Sequence, residues 1–170
     1  MKSKLLLHIC CIGCGAYVAR LLGEEFAVSL FFANPNIYPP EEYGRRFDET
    51  GRVAKEYGLA LKRAPDDHRA WLDLVKGHEQ DSEGGERCAI CYAARLRATA
   101  EEAKREGFTH FASTLSVSPH KKAEVLNRIG AELGRIEGVG RVTSITDSVD
   151  VWGTKDGIVI EKLTEDVPRS

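Results

Sequence analysis

Residues 5–23 read Leu-Leu-Leu-His-Ile-Cys-Cys-Ile-Gly-Cys-Gly-Ala-Tyr-Val-Ala-Arg-Leu-Leu-Gly. Residues 5–10 form a short apolar run of the kind that makes a buried strand. From 16 to 23, Val18, Leu21 and Leu22 share one side of a helix that Gly23 closes. The opening unit is therefore strand, cysteine-bearing turn, helix. The same order recurs along the chain. Residues 26–33 are strongly β-type and end at the turn Asn34-Pro35-Asn36. A charged helix over 41–57 carries Tyr43, Phe47 and Val53 and stops at Gly58. A strand over 59–63 and a helix over 67–76 with Trp71, Leu72 and Val75 follow. Residues 77–87 are polar and Gly-rich and read as an exposed loop. Beyond it the pattern predicts a helix over 92–105, a strand over 108–113, a helix over 121–133 after Ser118-Pro119, and a strand over 142–145. Residues 152–160 suggest a small hairpin, and 164–170 a tail.

Strands alternating with helices predict a single three-layer α/β domain, Rossmann-like or HUP-like, with a mainly parallel sheet. Residues 1–147 make up this domain, and 148–170 a C-terminal extension. In such sheets ligands bind beyond the carboxyl ends of the strands. The first cysteine group sits at one such end.

The chain has five cysteines, in two tight groups: Cys10, Cys11 and Cys14, then Cys88 and Cys91. Close spacing lets neighbouring thiolates reach one centre, which scattered core cysteines have no reason to do. Adjacent residues in a strand point apart, but at a strand end both can face one bulky cluster. Gly13 and Gly15 leave room for such a cluster and supply flexible backbone. A helix starting near Gly15 adds a positive dipole that favours thiolate, and the start of a helix near Cys88 does the same. Three chemistries compete. One is a structural zinc site in a binding module, whose usual signature is two Cys-x-x-Cys knuckles. The second is a thiol–disulfide pair at Cys11/Cys14 or Cys88/Cys91. The third is an iron–sulfur cluster on four thiolates, with the fifth cysteine left for another metal or for substrate.

Composition narrows the setting. No run approaches the ~20 apolar residues that span a bilayer, and His8 with the cysteines interrupts the N-terminal leucines too early for a signal-peptide core. The expectation is a cytoplasmic protein with no membrane partner, where thiols stay reduced. The net charge of −2 gives no global attraction to nucleic acid, so an RNA would have to be held by a local patch. The basic groups are Arg45, Arg46 and Arg52, then Arg87, Arg95 and Arg97, then His120, Lys121 and Lys122.

Several segments, in order, resemble the QueH-type epoxyqueuosine reductases. They are Leu6-Leu7-His8-Ile9-Cys10-Cys11-Ile12-Gly13-Cys14, Phe31 to Pro39, Glu42-Tyr43 with Arg46, Gly77-His78-Glu79, Gly85 to Tyr92, Arg95-Leu96, Thr99-Ala100, Ser113 to Lys121 and Ile129-Gly130. The family's Ala-Pro or Gly-Pro before the third cysteine is Ile12-Gly13 here, and its Tyr-Arg-Gln run and second Cys-x-Cys have no counterpart in these residues. The resemblance implies reduction of the epoxide of epoxyqueuosine in the tRNA anticodon loop. It also implies a 4Fe-4S cluster on Cys10, Cys11, Cys88 and Cys91. Cys14 would assist the substrate or hold a second, mononuclear iron. An external donor (ferredoxin, flavodoxin or a thiol) would supply the electrons. The alternatives are a zinc-stabilised binding module and a related cluster enzyme acting on another small substrate. In the reductase reading, His8, His120 or Asp147 would protonate the leaving oxygen. Asn34, Asn36, Tyr38 and Tyr43 would line the base site, as unpaired bases are commonly stacked and hydrogen-bonded. Arg46, Arg87, Arg95 and Lys121 would meet phosphate or the cluster edge.

Overall fold

A computed structural model describes residues 1–65, 67–117, 123–138, 140–146, 148–152 and 159–164. The strands are β1 (Ser3–His8), β2 (Phe26–Phe32), β3 (Ala60–Arg63), β4 (His110–Ser113), β5 (Gly140–Thr146), β6 (Ser148–Trp152) and β7 (Val159–Thr164). The helices are α1 (Ile12–Leu22), α2 (Pro40–Glu56), α3 (His68–Leu74), α4 (Glu86–Arg105) and α5 (Ala123–Glu137). A 3-10 turn over Thr114–Val117 follows β4. The sheet order is β3-β2-β1-β4-β5-β6-β7. The first five strands are parallel and the last two antiparallel. This is the α/β, Rossmann-like architecture that the alternating pattern predicts. The hairpin lies within 148–164, wider than the 152–160 suggested by sequence, and continues the sheet from β5.

Strand pleating sorts the core into two layers. Leu5, Leu7, Ile9, Leu30 and Phe32 join Val18, Ala19 and Leu22 of α1 and Tyr43 and Ala54 of α2 in one buried cluster. Leu6, Phe31 and Phe111 join Tyr92, Leu96, Ala100 and Ala103 of α4 and Leu126 and Leu133 of α5 in the other. The three leucines of β1 are wholly inaccessible because β1 is central and has helices on both faces. Each such side chain is worth roughly 1.5–3 kcal/mol relative to leaving it exposed. At the β3 edge, the Lys62 amine binds Glu106 at 2.9 Å, joining the edge strand to the end of α4.

Helix boundaries show where local signals were hidden. Gly58 and Gly107 follow α2 and α4 with positive φ, as their stop positions predict. By contrast α1 starts at Ile12, not 16, and α4 at Glu86, not 92. The start of α4 is secured from the preceding loop: Asp81 Oδ2 accepts the Arg87 N–H at 3.0 Å. That cap lies too far from the helix in sequence to look like one. Glycines at 13 and 15 disguise the start of α1, since glycine is a poor helix former.

Gly15 also corrects an expectation. Its missing Cβ makes room for Ile9, not for a cluster: a Cβ there would lie 2.0 Å from Ile9 Cδ1 and 2.7 Å from Cγ1. A Cβ at Gly13 would meet nothing within 4 Å. Ile9 is fully buried and cannot swing clear without displacing the core. Gly15→Ala should therefore destabilise the fold by about 1–3 kcal/mol. Gly13→Ala should be neutral or stabilising by up to about 1 kcal/mol. Urea unfolding midpoints of the two variants test the contrast, and equal midpoints would contradict it.

Candidate functional site

The sheet order reverses between β1 and β4, which leaves a crevice at their carboxyl ends. Cys10 and Cys11 leave β1 at this edge, and Cys11 is the N-cap of α1. α4 runs back to β4, so its N-terminus lies along the same edge. Cys88 falls in its first turn and Cys91 in its second. Cys10 and Cys88 pack against the same apolar cluster. Two positive helix ends thus accompany two thiol groups, and the Gly84 N–H donates to Cys88 Sγ at 3.4 Å.

One side chain ties the two groups together from below. Asn34, at the end of β2, donates through Nδ2 to the Ile9 carbonyl at 2.9 Å. Its Oδ1 accepts from Arg95 Nη2 at 2.6 Å. Ile9 immediately precedes Cys10, and Arg95 lies one helical turn beyond Cys91. Asn34 is 1% exposed and Arg95 4%. The Arg95 Nε has no partner, and no carboxylate is paired with this guanidinium among the described residues.

His8 is wholly buried beside this link. Its Nε2–H donates to the Ala33 carbonyl, so Nδ1 accepts from the Ser113 hydroxyl, both at 3.0 Å. Ser113 Oγ in turn accepts the Leu115 N–H. Burial, reinforced by the Arg95 charge, lowers the His8 pKa to about 3. A ring held neutral and spoken for at both nitrogens is a structural tie, which corrects its reading as a proton donor. Burial also pushes the Tyr92 phenol up to about 12. The neighbouring Cys88 sulfur, hydrogen-bonded to it, acts in the same direction.

Above the link lies an open pocket of about 360 Å³, lined by Asn36, Trp71, Asp81, Ser82, Glu83, Arg87, Cys88 and Cys91. Trp71 and Cys91 are its apolar lining, and Val75 packs with them in a small buried cluster. The 77–87 loop is held in place on its polar side: His78 Nδ1 lies 3.0 Å from Asp81 Oδ2, and Glu79 accepts the Gly77 N–H. A backbone hydrogen bond from Arg87 keeps the Asp81 carboxyl below its ordinary range, so it stays an acceptor.

The structure thus gathers Asn36, Arg87, Cys88 and Cys91 at one pocket, with Asn34 and Arg95 beneath it. Arg95 is too buried to meet an RNA phosphate. Tyr43 is corrected outright: it is 2% exposed, packed edge-on against Phe32, and bonded by Arg63 Nε at its hydroxyl. Arg46 sits on α2 and binds Glu42 at 2.6 Å, in the layer across the sheet from α4. Tyr38 is exposed and stacks on His68. His68 and Trp71 are site residues that the sequence reading missed, because their spacing marks them only as part of a short helix. His120, Lys121 and Asp147 lie outside the described residues, as does the side chain of Cys14. Among the described residues, no three His, Cys, Asp or Glu side chains are gathered as ligands of a single ion. No helix is long and apolar enough to cross a membrane.

Fold and site together define an α/β protein of the HUP-like type with a cysteine-lined pocket at the carboxyl edge of its parallel sheet. The same fold occurs in a predicted subunit of a tRNA methyltransferase from Methanocaldococcus jannaschii (TM-score 0.59, 13% identity, 84% of this chain and 68% of that one). It also occurs in the U34-tRNA thiolase NcsA from Methanococcus maripaludis with its 4Fe-4S cluster (TM-score 0.51, 16% identity, 81% and 44%). The chain belongs to the QueH family: the model for epoxyqueuosine reductase QueH matches residues 5–148. Relatives named epoxyqueuosine reductase QueH include that of Streptococcus pyogenes, 33% identical over 80% of this chain and 56% of the relative. That of Haemophilus influenzae is 38% identical over 75% and 53%. The chain spans little more than half the length of these relatives.

The His8 environment has a measurable consequence. Its pKa in the fold lies below the ordinary 6.5, so below pH 6.5 the unfolded chain binds a proton that the folded one refuses. Its contribution to stability is present above pH 6.5 and declines as pH falls toward about 3. Denaturant midpoints measured from pH 7 to pH 5 should fall for the native chain. They should fall less steeply in His8→Gln, and identical slopes would contradict the assignment.

Proposed function

We propose that this chain carries the cluster-binding, substrate-reducing core of an epoxyqueuosine reductase acting on the tRNA anticodon loop. Family membership supports the reaction class. The observation that carries the cofactor reading is the buried Arg95 guanidinium, whose Nε is unpartnered and which has no carboxylate paired with it among the described residues. A buried cation needs compensating charge. A thiolate-held iron–sulfur cluster carries net negative charge and would supply it. The donor chemistry also fits, since soft thiols stand at two positive helix ends.

In this reading Cys10, Cys11, Cys88 and Cys91 hold a 4Fe-4S cluster, and Cys14 remains for the substrate or a second iron. The bound cluster would supply one-electron redox steps and a Lewis-acidic iron. Reducing the epoxide to an alkene takes two electrons and two protons and releases the oxygen as water, so an external donor such as a ferredoxin, flavodoxin or thiol is required. The protein's part is positional. Asn34 and Arg95 fix the β1 end against α4. Trp71 and Val75 pack against Cys91 and hold its side chain in place. Tyr92 keeps its proton and donates to the Cys88 sulfur. A tRNA substrate makes the cytoplasm its place of work. NcsA, which has this fold, is named for a 4Fe-4S cluster and for U34 of tRNA.

Anaerobic purification with iron and sulfide analysis tests the reading. The sample should be brown, with about four iron and four sulfide per chain, and should convert epoxyqueuosine to queuosine in tRNA digests analysed by mass spectrometry. Cys88→Ser should lose the iron. A full iron complement in that variant, or a colourless chain with stoichiometric zinc after reconstitution, would overturn the assignment.

A further inference from the structure

An aromatic column rises from the pocket to the surface. Tyr38 stacks on His68 with ring centroids 5.0 Å apart and 19° between planes. His68 stacks on Trp71 at 5.5 Å and 24°, and the Arg87 guanidinium lies over the same indole at 5.5 Å. The column is braced from the side, where His68 Nδ1 meets the Pro35 carbonyl at 2.6 Å. Its outer member is 67% exposed and its inner member 7%. With His68 and Arg87 both laid on the indole, its polar edge rather than its face is left for a ligand. That edge is unsatisfied: among the described residues, Trp71 Nε1 is buried with no hydrogen-bond partner, and so is Asn36 Oδ1. Both residues line the cysteine pocket. A donor and an acceptor buried without partners each cost free energy until a ligand supplies the complement.

We propose that this column is an RNA-binding element with two separate tasks. Tyr38 offers its outer face as a platform for an unpaired base beside the target nucleotide. Trp71 Nε1–H and Asn36 Oδ1 together hold the polar edge of the nucleoside that enters the pocket. An unpaired nucleobase is the ligand that uses both a stacking face and an adjacent donor–acceptor pair. Stacking on Tyr38 is indifferent to base identity, because every base has a π-face. The hydrogen-bonding pair is where selectivity resides. The proposal rests on tRNA being the substrate and adds the residues that grip it.

The test is equilibrium binding of cluster-loaded protein to an RNA hairpin with an unpaired loop, with the fully paired stem as control. Tyr38→Ala should weaken hairpin binding by roughly 5- to 100-fold. Tyr38→Phe should stay within about twofold, and stem binding should be unmoved. Trp71→Phe keeps an aromatic ring in the column and removes the N–H together with the pyrrole half of the indole. It should weaken hairpin binding by roughly 3- to 10-fold, with iron content and visible absorption unchanged. Hairpin affinity equal to the native chain's in both Tyr38→Ala and Trp71→Phe would overturn the proposal. So would an equal loss on the paired stem. Absence of epoxide turnover in the native cluster-loaded chain, with these binding effects present, would instead remove the reductase reading and leave the RNA element standing.

Discussion

The site depends on one buried amide. Asn34 spans the Ile9 carbonyl and the Arg95 guanidinium and so bonds both halves of the crevice. A strand end and a helix start contributed by distant parts of the chain have no intrinsic reason to stay in register. Apolar packing brings them close but is non-directional. A primary amide with a donor at one end and an acceptor at the other converts proximity into fixed geometry. Losing it would strand both a backbone carbonyl and a cation in a region without water, which is costlier than losing an ordinary surface hydrogen bond. His8 repeats the tactic one residue earlier, joining β1 to the ends of β2 and β4.

These polar ties hold charge in place beneath the cysteines. Arg95 lowers the His8 pKa, and burial alone would do so even without it. The imidazole therefore stays neutral and does not add a second cation beneath the cysteines. Arg95 is then the buried cation beneath the pocket, while Arg87, Asp81 and Glu83 line the pocket itself.

Much of the fold was legible in the chain because it rests on local periodicity. The apolar run at residues 5–10 and the β-type run at 26–33 gave β1 and β2, and Gly58 and Gly107 gave the ends of α2 and α4. The site was legible only in its chemistry. Clustered cysteines announced themselves, but Asn34 looked like turn chemistry beside Pro35. Its true partners lie 25 and 61 residues away in sequence. Tyr38 and Tyr43 looked equivalent. The turn at 34–39 sends one outward, while α2 turns the other into the core, a distinction set by tertiary packing. Trp71 read as an ordinary apolar helix residue because its unsatisfied N–H becomes visible only when the neighbours are in place. Asp81 was indistinguishable from any acidic loop residue until α4 was seen to begin within its reach.

The short strand β3 bears on how copies of this molecule coexist. It is the outermost parallel strand, and its outer backbone groups would otherwise invite another chain to extend the sheet. Only four residues long, it ends in Lys62 and Arg63. Lys62 is drawn toward Glu102 and Glu106 of α4, while Arg63 lies over the rings of Tyr43 and Phe47. A brief, doubly cationic margin is a poor template for sheet-to-sheet growth.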